Sequence, residues 1–231
     1  IKKYIGAAEL IKGQYRYALW LSENDYKKLE SNPIVKERIA RTYNHRIHSS
    51  AKGLAERPWS FRDTNMTTTQ SIMIPCHSSE NREYLPMGIV GDDTIISNSA
   101  MAIYDAPIYL LGLLESRMHM TWMRAIGGKL ETRYRYSAGL VYNTFPVPKI
   151  SEQAKTEIED CVFEILDYRE MSGKTLAELY DTKTMPEELL EIHQRLDLLV
   201  DKLYQTKAFV DDQERLSLLL NMYKDKVESN E

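Results

Sequence analysis

The feature that most constrains the fold is a change of sequence pattern around two closely spaced prolines, Pro146 and Pro148. Before them the chain mixes strand-like and helical stretches, and after them it shows only the spacing of amphipathic helices. Proline fixes φ, lacks a backbone N–H and disfavours a helical conformation of the preceding residue, so an extended connection is predicted here. We therefore expect an α+β protein, with a mixed α/β domain at residues 1–150 and a helical domain at residues 151–231.

The second domain is predicted to be a small helical bundle. Thr175-x-x-Glu178 and Asp211-x-x-Glu214 are typical of helix starts, and so is Pro186 followed by two acids. Between these signals, apolar residues recur at intervals of three or four. Three long helices and one short helix follow from this pattern.

The first domain is predicted to combine short strands with helices. Strand-like runs occupy residues 13–20, 71–76, 84–90, 94–97, 100–104 and 136–142. A charged helical segment at residues 23–49 is interrupted at Pro33. A second, strongly apolar helix is expected to run without a break over residues 108–126 and to end at the pair Gly127-Gly128.

The composition is that of a folded globular protein, with 43% hydrophobic and 28% charged residues among 231. The longest apolar run, residues 106–114, is shorter than the ~20 residues that cross a bilayer. No signal peptide begins the chain, so we expect a cytoplasmic protein without a membrane partner. Two cysteines are too few for a disulfide framework or a Cys-based zinc site. Because the first residue is Ile1 and not Met, we expect the chain to be part of a longer protein.

Charge is divided unequally between the two domains. Residues 1–150 carry 20 Lys and Arg against 14 Asp and Glu, whereas residues 151–231 carry 10 against 20. Only the first domain is therefore suited to meet a polyanion such as nucleic acid. Two ordinary solvated surfaces would also explain the division.

No catalytic constellation is visible in the sequence, since Gly-rich phosphate loops and a His-Glu-x-x-His motif are absent. His45 and His48 are typical of a solvated helix face, and Asp92-Asp93 is typical of a turn. Cys76 indicates a structural cysteine. The segment that begins at Asn143 lacks the adjacent prolines and the aromatic residue of the Asn-Pro-Pro-Tyr motif of amino-methyltransferases. We therefore expect no catalytic residues, no metal site and no cofactor in this chain.

One dense polar segment, residues 127–137, needs another explanation. Its charged residues occupy every second position, so in an extended strand they all point the same way. They are Lys129, Glu131, Arg133 and Arg135. Arginine can donate two hydrogen bonds to guanine, and glutamate can accept one from cytosine, in the major groove of DNA. The alternative is a cross-strand ladder of surface ion pairs, which contributes little to stability. From the chemistry of the residues alone, this alternative is slightly favoured over base recognition.

Four longer phrases together resemble one protein family. They are SSENREYLPMG at 78–88, SRMHMTWMRAIGGKLETRYRYS at 116–137, LVYNTFPVP at 140–148, and LYDTKTMPEEL at 179–189 followed by IHQRLD at 192–197. In this order they are similar to the C-terminal part of MmeI-like restriction–modification enzymes, called type IIL or IIG. The likeness runs from about Tyr4 to Tyr223, and it departs from the family at Val147, where the usual Phe-Pro-Trp-Pro has Trp.

Members of this family join a nuclease, a γ-class adenine-N6 DNA methyltransferase, a target recognition domain and a small helical domain in one chain. The resemblance implies that residues 1–150 are the target recognition domain, which binds double-stranded DNA and reads its sequence. It also implies a second partner, an upstream methyltransferase domain of the same chain. S-adenosylmethionine, and Mg²⁺ for any nuclease, would then serve the longer protein and not this part of it.

The resemblance further assigns residues that read bases. The family's specificity positions fall on Glu131, Arg133 and Arg135, of which the first two suit a C·G pair and the third a neighbouring guanine. A second cluster falls on Asn98 and Ser99. Asn98 could bond adenine, and a β-turn asparagine is an equal alternative.

Three more residues receive supporting roles. Arg82 and Lys129 are candidates for contacts to phosphates, which position a protein on DNA without specifying sequence. Glu80 either orients Arg82 or contacts a base. The apolar residues between positions 116 and 126 are expected to pack in the core.

Two other functions stay open at this stage. A specificity subunit acting in trans would normally carry two recognition domains separated by long paired helices, and only one such domain is predicted. A protein–protein interaction domain could instead use the acidic helices, and a tight dimer through residues 151–231 would favour it.

Overall fold

The computed structural model of the chain describes residues 1–50 and 52–229, and at Lys52 it describes the backbone alone. In this part of the chain, nine strands form three sheets of three strands each. The strands are β1 (Lys2–Ile5), β2 (Arg16–Ala18), β3 (Gln70–Pro75), β4 (His77–Ser78), β5 (Gly88–Gly91), β6 (Thr94–Ile96), β7 (Ala100–Tyr104), β8 (Gly128–Leu130) and β9 (Arg133–Arg135).

Each sheet joins strands that are distant in the sequence. The strand orders are β2-β1-β6, β5-β3-β7 and β4-β9-β8. The β1–β6 pair is parallel, and the other pairs are antiparallel. Only Cys76 separates β3 from β4, so the third sheet is attached directly to β3, whose side chains are buried from Ser71 onward.

The described helices of the first domain lie in the sequence either before β3 or after β7. They are α1 (Ala7–Lys12), α2 (Glu23–Leu29), α3 (Pro33–Ile47), α4 (Ile108–Glu115) and α5 (Arg117–Ile126), with a 3-10 turn at Lys52–Leu54. The predicted interruption at Pro33 is confirmed, because Pro33 begins α3. The Asn32 side chain caps that helix by accepting hydrogen bonds from the N–H groups of Ile34 at 3.0 Å and Val35 at 3.3 Å.

The expectation of one unbroken helix over residues 108–126 is wrong. Ser116 has an extended backbone, with φ −75° and ψ 158°, and separates α4 from α5. Its hydroxyl accepts a hydrogen bond from the N–H of His119 at 3.3 Å and so caps α5. Apolar residues continue on both sides of the break, and their periodicity therefore concealed it.

Three predicted strands are shorter than expected or absent. Residues 13–20 form a strand at Arg16–Ala18, residues 84–90 form one from Gly88 onward, and residues 136–142 contain a π-helical turn at Ala138–Tyr142. The apolar side chains that indicated the last two strands are buried all the same. They are Tyr84, Leu85, Met87, Tyr136 and Val141, each at most 3% exposed. Burial from irregular backbone, and not strand pairing, explains their pattern.

The predicted set of three long helices and one short helix is confirmed for the described part of the second domain. The helices are α6 (Glu152–Ser172), α7 (Leu176–Leu179), α8 (Glu187–Tyr204) and α9 (Asp212–Glu228). Thr175 and Asp211 cap α7 and α9 by accepting from the N–H groups of Glu178 and Glu214. The α+β fold class is therefore confirmed. Among the described residues, no helix is both long and apolar enough to span a bilayer.

The two domains share one hydrophobic core, which extends from β3 to α9. The expected packing of α5 is confirmed by its buried side chains, Met118, Met120, Trp122 and Met123, each at most 1% exposed. Helices α4 and α6 approach closely at Gly112. A Cβ atom there would lie 2.5 Å from Cγ2 of Ile158 and 2.9 Å from Cγ2 of Val162. Glycine is therefore required for this helix contact.

A buried ion pair also joins the domains. Nη2 of Arg169 in α6 lies 2.8 Å from both carboxylate oxygens of Glu115, the last residue of α4. The two side chains are 8% and 1% exposed. Nε of Arg169 also donates to the Tyr180 hydroxyl at 2.8 Å, and that hydroxyl is hydrogen-bonded to Nε2 of His193 at 2.7 Å. Every charge of the pair is thus met, whereas loss of one partner would leave a buried charge at a cost of about 3–5 kcal/mol.

We expect Gly112→Ala to lower the free energy of unfolding by about 1–3 kcal/mol, because the new methyl group must push α4 away from α6. The matched control is Gly139→Ala, since no atom lies within 4 Å of the Cβ position at Gly139. Urea unfolding of both variants checks this. Equal stabilities of the two variants would contradict the close helix contact.

Candidate nucleic-acid interface

The polar segment predicted as one extended strand is a β-hairpin. β8 and β9 pair with the register Gly128↔Arg135, Lys129↔Tyr134 and Leu130↔Arg133, so Glu131 and Thr132 form a two-residue turn. Residues directly opposite in an antiparallel pair share a face of the sheet. Lys129 therefore shares its face with the half-buried Tyr134 and not with the arginines. The expectation that all four charged side chains point the same way is corrected for Lys129.

The other face of the hairpin carries the two arginines. Arg133 and Arg135 alternate with Tyr134 along β9, and both are exposed. Gly128 lies opposite Arg135 and adds no side chain that could cover it. The structure thus brings Arg133 and Arg135 together on one open surface, as the spacing predicted.

His77 belongs to the same face, and the sequence analysis missed it in this role. It lies opposite Arg135 in the β4–β9 pair and is exposed. An imidazole can donate and accept hydrogen bonds, as base recognition requires. No sequence signal identifies this role, because β4 has only two residues and its register with β9 is what shows which surface His77 faces.

Glu131 and Arg133 form an ion pair at the end of the hairpin. Nη2 of Arg133 lies 2.9 Å from Oε2 of Glu131, and the side chains are 50% and 74% exposed. An ion pair so exposed contributes little to stability. The arrangement instead offers one acceptor beside several donors, which is the complement of the major-groove edge of a C·G pair.

The backbone at Glu131 is unfavourable for its residue type. Its φ is +58°, in the left-handed region that glycine and asparagine adopt with least strain. Asp105 is the other described non-glycine residue with positive φ, and its carboxylate explains why it is there. Oδ1 of Asp105 accepts from the N–H groups of Thr68 at 2.8 Å and Thr69 at 3.0 Å. At Glu131 the side chain instead pairs with the exposed Arg133, a contact that does not hold the backbone of the turn as the Asp105 carboxylate does.

Glu80 contacts the turn of the hairpin. The Thr132 hydroxyl donates to its carboxylate, and this hydrogen bond is the largest cause that holds the pKa of Glu80 below its ordinary value. Arg133 adds a weaker attraction in the same direction. Glu80 is therefore placed beside the Glu131–Arg133 pair, whereas the predicted contact to Arg82 has no support in the hydrogen bonds of that residue.

The second predicted cluster lies close to the hairpin. The Ser99 carbonyl accepts from the N–H of Cys76 at 3.1 Å, and the Cys76 carbonyl accepts from the N–H of Tyr136, next to β9, at 2.9 Å. Asn98 is exposed at the turn between β6 and β7. The hydroxyl of Ser99 already accepts from the N–H of Ala7 at 2.9 Å, so Ser99 also has a structural part.

The predicted phosphate contacts differ in their exposure. Lys129 is exposed in β8, whereas Arg82 is half-buried and its Nη1 lies 3.5 Å from the hydroxyl of Ser78. Lys129 is therefore the freer cation of the two.

Burial raises the pKa of the Cys76 thiol, which disfavours the reactive thiolate. Over residues 1–50 and 52–229, no three His, Cys, Asp or Glu side chains come together as a metal site.

Comparison with known proteins decides the family. The model of the MmeI target recognition domain matches residues 1–149, and the model of the MmeI C-terminal domain matches residues 150–229. The chain belongs to the MmeI family. The resemblance inferred from the four sequence phrases is thereby confirmed, because the chain matches the family's target recognition domain and, after it, the family's C-terminal domain.

Two relatives show how much of a whole protein the chain represents. It is 55% identical over 230 residues to "DNA methyltransferase A" of Bacillus subtilis (strain 168), which covers 98% of this chain and 26% of that protein. It superposes on the type IIL restriction–modification enzyme MmeI, solved in complex with DNA, with a TM-score of 0.92 and 40% sequence identity. That match covers 98% of this chain and 31% of MmeI. The chain therefore spans about a quarter to a third of these relatives.

We expect Glu131→Gly to leave the free energy of unfolding unchanged or to raise it by about 1 kcal/mol, because glycine relieves the strain of a positive φ. The matched control is Asp105→Gly, at the other positive φ. It removes the acceptor for Thr68 and Thr69 and is expected to lower the free energy of unfolding by about 1–3 kcal/mol. Urea unfolding checks both. A Glu131→Gly variant as unstable as Asp105→Gly would give Glu131 a structural role instead.

Proposed function

We propose that this chain reads a short sequence in double-stranded DNA through the major groove, with the exposed face of the β8–β9 hairpin. The observation that carries the proposal is the exposed pair of Glu131 and Arg133, held together at 2.9 Å, with Glu131 on a strained turn and Arg133 at the start of β9. The family match and the DNA complex of the solved relative support the same function. The basic balance of residues 1–150 would favour the approach to phosphates.

The chemistry of the hairpin suggests which bases it reads. The Glu131 carboxylate would accept from N4 of cytosine, and the Arg133 guanidinium would donate to O6 and N7 of the paired guanine. Arg135 would read a guanine in a neighbouring pair, and His77, opposite it in β4, would contact a base or a phosphate nearby. Each well-placed bidentate contact supplies about 1–3 kcal/mol of discrimination.

Other residues would extend this interface. Asn98 would bond N6 and N7 of adenine from the turn that Cys76 joins to the hairpin, and Ser99 would contribute alongside it. Lys129 and Arg82 would contact phosphates, and these contacts would supply much of the affinity without specifying sequence. Glu80 would support the hairpin through Thr132.

The reaction belongs to the longer protein. With a DNA methyltransferase and a restriction–modification enzyme as relatives, we propose a parent that methylates adenine N6 in the site that this chain selects. S-adenosylmethionine would bind in a methyltransferase domain upstream in the same chain, which would flip the target adenine out of the duplex. Any nuclease, with its Mg²⁺, would be part of the parent as well. The cytoplasm, which holds bacterial DNA, is the compartment we expect. Among the alternatives, the relatives favour this function over a specificity subunit acting in trans, because the matched region is part of a longer chain in both.

The decisive experiment exchanges the signs of the Glu131–Arg133 pair. In cells expressing a full-length protein with this chain, Glu131→Lys with Arg133→Asp should change one position of the methylated motif from C to G. The reason is that donor and acceptor change places while the ion pair is kept. Single-molecule sequencing of genomic DNA measures the motif.

The matched control exchanges another exposed ion pair, Lys224 with Glu228, which lies in α9 with an N–O distance of 3.7 Å. This control should leave the motif as it is. An unchanged motif in the hairpin variant would remove Glu131 and Arg133 from the reading surface. The absence of any methylated motif with the wild-type chain would count against the proposed function itself.

Lys129→Ala should weaken binding to all duplexes alike. It should also reduce the slope of the logarithm of the binding constant against the logarithm of the salt concentration by about one, because one fewer counterion is released. Lys202→Ala, at an exposed position of α8 in the acidic domain, is the control and should change neither quantity. Titration of labelled duplexes at several salt concentrations measures the affinity and its dependence on salt for both variants. A change of preferred sequence in Lys129→Ala would instead make Lys129 a base contact.

A further inference from the structure

The loop of residues 79–87, between β4 and β5, is held by the C-terminal helices. The hydroxyl of Tyr84 donates to Oδ2 of Asp197 in α8 at 2.7 Å, and the tyrosine is only 1% exposed. The Tyr84 ring stacks on the ring of His193, also in α8, with a centroid distance of 4.3 Å. The middle of this loop is therefore fixed from the second domain.

A second contact fixes the end of the loop. The N–H of Met87 donates to Oε1 of Glu115 at 2.7 Å, and the Met87 carbonyl accepts from Nη1 of Arg169 at 3.1 Å. The ion pair that joins the domains thus holds the backbone of Met87 from both sides. Two elements of the core, α4 and α6, meet the loop at this point.

A third contact holds the part of the loop nearest β4. Nη2 of Arg124 donates to the carbonyls of Arg82 at 3.4 Å and Glu83 at 3.2 Å. Nη1 of Arg124 lies 3.7 Å from the carboxylate of Asp212, at the start of α9. The second domain therefore reaches this part of the loop through Arg124.

Asp197 also fixes the element that leads into the hairpin. While Oδ2 accepts from Tyr84, Oδ1 accepts from the N–H of Arg117 at 2.7 Å, and Arg117 is the first residue of α5. α5 runs directly into β8, and the 79–87 loop directly follows β4, the partner of β9. One buried carboxylate, 6% exposed, thus holds the segments that flank the hairpin on both sides.

The free end of the loop contacts the turn that carries Glu131. The register Ser78↔Tyr134 of the β4–β9 pair brings Glu80, two residues after Ser78, close to Thr132, two residues before Tyr134, and Thr132 is the largest cause that lowers the pKa of Glu80. A continuous set of hydrogen bonds and covalent links therefore leads from α8 to the reading pair.

We propose that the C-terminal helices position the β8–β9 hairpin for base reading, with Asp197 and Tyr84 as the positioning pair and Glu80 as the contact to the turn. This inference rests on the proposed reading of DNA by the hairpin. It gives the acidic domain a part in specificity without contact to DNA. A displaced hairpin still presents its charges to phosphates, but it loses the alignment that bidentate hydrogen bonds to a base edge demand.

The experiment measures discrimination, and not affinity alone. The wild-type chain selects its preferred site from short duplexes with a randomised centre. Discrimination is then a ratio of two dissociation constants. The constant for the same duplex with the hairpin-read base pair inverted is divided by the constant for the preferred site. The Glu131→Lys, Arg133→Asp variant identifies that base pair. All proteins are compared well below their melting temperatures, so that a change of stability by itself leaves the ratio unchanged.

Tyr84→Phe keeps the ring and removes only the hydrogen bond to Asp197. We expect it to reduce discrimination about threefold to tenfold, which is part of the roughly tenfold to hundredfold that one bidentate contact supplies. The matched control is Tyr204→Phe at the end of α8, whose hydroxyl donates to the carbonyl of Pro146 at 2.9 Å, away from the 79–87 loop. Tyr204→Phe should keep the wild-type ratio.

Glu80→Ala changes the other end of the same path, at a position outside the core. It should reduce discrimination by a similar factor, and the double variant with Tyr84→Phe should lose less than the product of the two factors, as expected for residues that act through one another. A wild-type motif read equally well by Tyr84→Phe would overturn this inference alone. A wild-type chain that selects no motif would overturn the proposed function and this inference with it.

Discussion

The arrangement of the whole molecule depends on the buried pair of Glu115 and Arg169. Two opposite charges almost free of solvent are tolerated only when each finds its partner and the remaining hydrogen-bonding capacity is used. Here the carboxylate also accepts from the N–H of Met87, and the guanidinium also donates to the Met87 carbonyl and to the Tyr180 hydroxyl. Helices from both domains and an irregular loop must therefore come together in one geometry, and the recognition and helical domains form a single packed unit.

Local signals made the second domain predictable. Helix starts such as Thr175-x-x-Glu178 are read from neighbouring residues alone, and the 3.6-residue period of α6, α8 and α9 needs no knowledge of distant contacts. The strands were less predictable, because their bounds depend on pairing with remote segments. The apolar residues near Tyr84 and Val141 indicated strands, yet they are buried from irregular backbone and a π-helical turn.

The candidate site, too, could be predicted from the sequence only in part. Its residue types and their spacing could be read from the sequence, and family resemblance supplied their meaning. The hairpin could not be read, because Glu131 and Thr132 are not the Asn-Gly or Asp-Gly pairs that usually announce a two-residue turn. Without that turn the face of Lys129 was assigned wrongly, and His77 could not be connected with Arg135, which lies 58 positions later in the numbering yet directly opposite it in the sheet.

The exposed face of the β8–β9 hairpin has a consequence for how such proteins diversify. Arg133, Arg135, His77 and the side chain of Glu131 lie outside the core, so no packed neighbour restricts which residues can replace them. The scaffold below them is held by buried contacts that do not involve these side chains. New residue combinations can therefore arise on this surface almost without loss of folding. If the surface reads bases as proposed, a lineage can explore different DNA sequences while it inherits one unchanged framework. If this chain selects the DNA site for every activity of the longer protein, one exchange of residues on this surface changes the site of all these activities at the same time. Methylation and any cleavage would then never act at different sites.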